Sequence, residues 1–131
     1  MRSVSLLLLL AMLLLAAPAN DQAAPSALAW LGLVDSGKYA DSWTEASPYF
    51  RMRVPQEQWV GMVRGVRGPL GALVSRKPPS IKFAKTLPGA PDGNYAVLTF
   101  QTSFQNKASA VETLTLMADG EKWRPAGYFI K

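Results

Sequence analysis

Residues 95–130 read YAVLTFQTSFQNKASAVETLTLMADGEKWRPAGYFI, and this stretch decides the fold. Ala96, Leu98, Phe100, Thr102 and Phe104 recur at every second position, the period of a strand with one face buried. Gln105-Asn106-Lys107 is turn chemistry, and a second long alternating run follows, from about Ser109 to Met117. Asp119-Gly120 is a hairpin signal, after which Trp123 to Ile130 closes the sheet.

Working upstream, Leu87-Pro88-Gly89-Ala90-Pro91-Asp92-Gly93 is turn chemistry throughout, and Ile81 and Phe83 alternate with Lys82 and Ala84 as a short half-buried strand. Before the Pro78-Pro79 break the period changes to that of helices. Pro25-Ser26 opens one pattern, carried by Leu28, Leu31 and Val34 with Trp30 beside them, and Ser36-Gly37 is its stop. A second places Tyr39, Trp43, Ala46 or Ser47, and Phe50 on one face, with Pro48 weakening its end. A third starts at Pro55, with Trp59, Met62, Val63, Val66 and Leu70 as its apolar stripe. It sets Arg64 and Arg67 toward the edges or the wet side, and Gly68-Pro69 and Gly71 end it. Gly61 and Gly65 are spaced for close helix packing. The expectation is an α+β domain: N-terminal helices packed on a four-stranded antiparallel meander.

The first residues stand apart from this pattern. Met1-Arg2-Ser3 is a short basic start, and the block 4–16 is apolar except for Ser5. Ala17-Pro18-Ala19 then supplies a small-x-small cleavage pattern. The apolar core falls short of the roughly 20 residues a spanning helix needs. The reading is a cleaved secretory signal peptide over residues 1–19, with residues 20–131 as a single domain, exported to the periplasm or secreted.

Composition narrows the chemistry. The chain has 131 residues, 49% of them hydrophobic, and contains neither cysteine nor histidine. No disulfide framework, thiolate nucleophile, Ser-His-Asp triad or histidine zinc site is available. The acids show no calcium-loop spacing, and no cofactor or metal is expected. Charge is uneven around the overall +5. The segment from Asn20 to Phe50 sets Lys38 against Asp21, Asp35, Asp41 and Glu45. From Arg51 to Lys85, eight bases face the single acid Glu57. That basic stretch is either a contact for a polyanion, such as lipid headgroups or an acidic protein surface, or a solvated face that neutralises the acidic first segment, and the second reading is favoured. Export makes nucleic acid an unsuitable partner.

A set of short motifs runs through the chain in order. It comprises Trp43-Thr44-Glu45-Ala46-Ser47, Trp59, Arg67-Gly68-Pro69-Leu70-Gly71 and Ser75-Arg76, then Leu87-Pro88-Gly89, Pro91-Asp92-Gly93-x-Tyr95, Glu112-Thr113, and Trp123-Arg124-x-x-Gly127-Tyr128. Over roughly 28–130 the set resembles a bacterial exported family catalogued as domain of unknown function 4019. The resemblance implies a small envelope-associated protein and no assigned activity. Helices followed by a meander also resemble, at fold level, the cone-like α+β rolls of the nuclear-transport-factor-like class.

Glu112 is the most informative single residue. Alternation places it on one face with Ala108, Ala110, Leu114 and Leu116, a carboxylate in an apolar row. Burying it alone is costly, so a partner is expected: Arg76 first, Arg124 second, each able to engage it with two hydrogen bonds. A structural pin is favoured over a binding or general-base group, since no histidine, cysteine or second acid stands near it in sequence. Tyr39, Trp43, Trp59, Tyr95 and Trp123 are either core or the lining of an aromatic pocket, and Ser47 and Ser75 are pocket contacts or helix-end hydrogen-bonders. Candidate binding residues are therefore Arg76, Glu112, Tyr128, Trp43 and Ser47.

Two functions follow. The favoured one is a non-catalytic binding or protein-interaction domain, taking a small molecule or an envelope protein in a cleft bounded by these residues. The alternative is a small cone-fold enzyme, a hydrolase or isomerase, with Glu112 as general base. The surroundings of Glu112 discriminate them: a pocket floor without arginine favours the enzyme, and a doubly hydrogen-bonded arginine pair argues against it.

Overall fold

The computed structural model describes residues 17–131. The apolar block 4–16, expected as the core of an export signal, lies outside the described residues. A 3-10 turn (Asn20–Gln22) leads into α1 (Ala23–Asp35), α2 (Tyr39–Glu45), α3 (Pro48–Arg53) and α4 (Gln56–Leu70). Five strands follow: β1 (Leu73–Arg76), β2 (Ser80–Ala84), β3 (Tyr95–Phe104), β4 (Lys107–Asp119) and β5 (Lys122–Ile130). All strand pairs are antiparallel, and the helices precede the sheet as an α+β domain.

The meander from β2 to β5 follows the expected order, with Phe100 opposite Glu112 and Leu114 opposite Tyr128. The expected count of four strands is corrected to five. Leu73–Arg76, to which the residues alone assign no element, pairs with the far half of β3, Arg76 opposite Thr102. β1 and β2 lie end to end along the same side of β3. Pro78-Pro79 separates them because proline brings no N–H to a ladder, while the Lys77 N–H still donates to Gln101 O at 2.9 Å.

The second helix is likewise corrected, into two. Ala46 and Ser47 are extended (ψ 164° and 151°), since a residue ahead of Pro48 is excluded from helical ψ. Ser47 then caps α3: its side chain accepts from the Phe50 N–H, and Pro48 fills the first turn, where a missing N–H costs nothing. Gly37 (φ +73°) stops α1, with Lys38 N–H donating to Leu33 O and Gly37 N–H to Val34 O. That stop leaves Asp35 as the last residue of the helix.

The core lies between the helical layer and one face of the sheet. Leu31 and Val34 of α1 and Trp59 and Val63 of α4 meet Ala96, Leu98 and Phe100 of β3 and Leu114 and Leu116 of β4. Each large side chain buried there contributes about 1.5–3 kcal/mol. The stripe expected on α4 is rotated. Trp59, Val63 and Arg67 are buried, whereas Met62 and Val66 are half exposed. Residues 59, 63 and 67 fall at i, i+4 and i+8, so Arg67 takes a core position and not the wet side. Gly61 and Gly65 approach nothing closely. Gly71 does matter: it turns the chain at φ +74°, and a Cβ there would lie 2.8 Å from Gln105 Oε1.

Candidate functional site

Strand register sets one polar row across the inner face of the sheet. Arg76 stands opposite Thr102 in β3, and Thr102 lies one inward step along from Phe100, the partner of Glu112 in β4. Tyr128 of β5 faces Leu114, one inward step beyond Glu112. Arg76, Thr102, Glu112 and Tyr128 therefore converge beneath the helices.

Glu112 has no exposed surface. Arg76 engages it with two hydrogen bonds, Nε to Oε1 at 2.7 Å and Nη2 to Oε2 at 3.1 Å. Thr102 Oγ1 donates to Oε1 at 2.6 Å, and the Tyr128 hydroxyl donates to Oε2. Four donors thus fill the acceptor capacity of the carboxylate. A general base needs a free lone pair facing a substrate, and this carboxylate presents none.

The helical layer adds two charges from above. Asp35 sits at the C-terminus of α1, where the helix dipole disfavours an anion, so cationic partners must outweigh that placement. Arg76 Nη1 and Nη2 reach its two oxygens at 2.8 and 3.0 Å, and Arg67 Nη2 reaches Oδ1 at 2.8 Å. Arg76 thus ties α1 to the sheet with four hydrogen bonds. The Arg67 guanidinium lies over the Phe104 ring, 4.7 Å from its centroid, and its Nε and Nη1 are buried without a partner.

The electrostatics follow from these contacts. Burial pushes the Asp35 carboxyl up, but hydrogen bonds and charge from Arg76 and Arg67 overcome this and hold it below its ordinary 3.8. Burial likewise opposes the Arg76 charge, and Asp35 and Glu112 outweigh it, holding the guanidinium protonated well beyond its usual range. Burial, then the neighbouring Glu112, keeps the Tyr128 hydroxyl far above its ordinary value, so it stays a donor.

Of the candidate residues, the structure brings Arg76, Glu112 and Tyr128 together and leaves Trp43 and Ser47 elsewhere. Trp43 Nε1 donates to Val54 O at 2.7 Å, and Ser47 is the α3 cap. Arg124, the second candidate partner, pairs with Asp119 at 3.0 Å and Glu45 at 3.3 Å at the surface. The aromatic set follows the core reading and not the pocket one: Trp59 and Trp123 lie in the core, Tyr39 and Trp43 pack against it, and Tyr95 is buried. Trp59 donates to Ser42 Oγ and packs with Trp30 and Phe50, while Trp123 packs on Phe83 and donates to Ala19 O.

Asp35, Arg67 and Thr102 belong to the cluster without having been singled out from sequence. The i, i+4, i+8 spacing from Trp59 could have found Arg67. Thr102 is the only hydroxyl in its strand row, the same signal that marks Glu112. Among the described residues, no three His, Cys, Asp or Glu side chains gather to hold a metal, and no helix is long and apolar enough to cross a membrane.

Two depressions matter for binding. The larger, about 620 Å³, lies between α1 and the β4–β5 turn, is rimmed by Glu45, Glu121, Lys122 and Arg124, and does not touch the cluster. The smaller, about 230 Å³, lies between α4 and the end of β5 and does touch it. Its walls are Trp59, Met62, Val63, Val66, Phe129 and Ile130, with Arg67 and Tyr128 from the cluster.

The sequence matches, over residues 26–128, a family described as protein of unknown function (DUF4019), and the chain belongs to that family. No curated protein and no solved structure matches it.

Proposed function

We propose that this DUF4019 member is a small exported, non-catalytic binding domain of the bacterial cell envelope, and that its ligand seat is the α4–β5 pocket. One contrast carries the reading. The carboxylate that would have to act as a base is saturated by Arg76, Thr102 and Tyr128, while the pocket beside it keeps three large apolar side chains partly in solvent. Met62 is 53% exposed, Val66 49% and Phe129 59%, grouped around one concavity. Apolar walls with a few polar groups at one end are the usual make-up of a small-molecule site. The charged cluster then acts as a frame, fixing α1 and α4 to the sheet so that the pocket keeps its shape.

The test is a titration with the neutral apolar dye N-phenyl-1-naphthylamine, read by its fluorescence. Saturable binding is expected, and Val66→Trp, which fills the pocket from a half-exposed position, should abolish it. Absence of binding, or binding untouched by that substitution, overturns the seat. Export is tested separately, by recovery in the osmotic-shock or culture fraction with Asn20 as the first residue. A chain retained in the cytoplasm with residues 1–19 attached contradicts it.

A further inference from the structure

We propose that the folded domain locks its own export-cleavage junction, so that the Ala19–Asn20 bond is cut before the C-terminal strand joins the sheet and not after. The proposal rests on the export reading and adds the order in which cleavage and folding occur.

Ala17-Pro18-Ala19 is the small-x-small pattern a processing peptidase reads. It does not trail away from the domain. Pro18 is buried and lines one depression with Phe83, Ala84, Asn94 and Tyr95. The Ala19 carbonyl accepts two hydrogen bonds, from Trp123 Nε1 at 2.9 Å and from the Gln22 N–H at 3.0 Å. Across the bond, Asn20 opens the 3-10 turn, and its own carbonyl accepts from the Ala23 N–H.

Hydrolysis needs the same carbonyl. The nucleophile of the peptidase attacks the Ala19 carbonyl carbon, the oxygen takes up negative charge, and donors of the enzyme must reach that oxygen. One water completes the cut, leaving a carboxylate on Ala19 and an amine on Asn20. In the folded domain the oxygen has two lone pairs and the chain's own donors meet both. A peptidase that takes its substrate extended, as a strand laid beside its own, also needs Pro18 and Asn20 released from the domain. Ala17, Ala19 and Asn20 themselves remain exposed, so the lock lies in these hydrogen bonds and the anchoring of Pro18, and not in a covering layer.

The residues that close the lock come late in the chain. Trp123 stands 104 residues beyond Ala19, in β5, and packs on Phe83 of β2. A chain exported N-terminus first therefore presents an open junction until β5 arrives and pairs with β4.

The experiment is digestion of the purified full chain by a bacterial signal peptidase in mild detergent, with the products read by mass. The folded parent is compared with Leu98→Asp/Leu114→Asp. Its two facing acids at fully buried positions unfold the domain and leave the junction sequence unchanged. The unfolded variant is expected to be cut at Ala19–Asn20 about tenfold or more faster, the factor set by two hydrogen bonds that must first open. Trp123→Phe keeps a ring against Phe83 but donates nothing. With its fold verified by near-ultraviolet circular dichroism, it should be cut about threefold or more faster than the parent. Equal rates for the folded parent and the unfolded variant overturn the lock while leaving export intact. A folded Trp123→Phe chain as resistant as the parent overturns the part given to the Ala19 carbonyl. Should Trp123→Phe fail to fold, the comparison of the parent with the double variant decides alone. No cut at Ala19–Asn20 in either chain removes the junction and the lock together.

Discussion

Arg76 and Arg67 stand at opposite ends of one cluster and are treated differently by their surroundings. Arg76 makes four hydrogen bonds to two carboxylates. Arg67, the more buried of the two, makes one and keeps two nitrogens without a partner. The strand end of the cluster thus meets its donors in full, and the helix end keeps two buried donors unmet. Burial of a charge says little by itself; the number of its donors or acceptors that are met separates a structural pin from a group held in reserve.

Substitutions can break this comparison. Arg76→Met should have the largest effect. It leaves Glu112 fully buried against neutral donors only, a loss of about 3–5 kcal/mol in urea unfolding. Tyr128→Phe removes one hydrogen bond to a buried carboxylate and should cost about 1.5–3 kcal/mol by the same measurement. Arg67→Met should be the mildest, within about 1 kcal/mol of the parent chain, because the lost bond to Asp35 is offset by relief of two unmet donors. A cost for Arg67→Met equal to that for Arg76→Met would show that the two ends do not differ.

The pH dependence sharpens the same contrast. Asp35 titrates near 3.8 in the unfolded chain and lower in the folded one, so its contribution is complete above that value. That contribution is lost as pH falls through the folded value, and acid unfolding should begin below about pH 4. Tyr128 acts in the other direction. The unfolded hydroxyl ionises near 10.0 and the folded one far higher, so stability falls as pH rises above 10. Tyr128→Phe should flatten the alkaline limb, leaving the part owed to Tyr95, whose hydroxyl burial also raises. Unfolding midpoints measured across pH check both limbs.

Much of this was legible in the residues. The alternation of 95–104 and 109–117 marks two strands, β3 and β4, and puts Glu112 on the inner face, with Arg76 named as its partner. Two of the eight bases in the basic stretch, Arg67 and Arg76, reach back to Asp35 of the acidic first segment, but from inside the protein and not from the solvated face expected. Other features depended on geometry that periodicity does not carry. Leu73–Arg76 is too short for alternation to declare itself, and its identity as a strand comes from pairing with β3. The break at Ala46-Ser47 was audible in Pro48, yet spacing across one face suggested continuity. Arg67 was misplaced because hydropathy sends a guanidinium outward, whereas Asp35 and the Phe104 ring make the interior tolerable for it.

The prolines that divide β1 from β2 have a consequence for how the molecule meets other copies of itself. A sheet edge with free N–H and C=O groups is a template for recruiting another chain, and long continuous edges are the ones that aggregate. One edge here is cut at Pro78-Pro79 into pieces of four and five residues, with Lys77 and Lys82 exposed along it. On the other, Pro125 lacks an N–H and its carbonyl is already taken by the Ser47 N–H at 2.8 Å. Neither margin offers an uninterrupted ladder, so a concentrated solution of the folded chain should remain free of strand-to-strand polymers even though its longest strands are strongly β-forming.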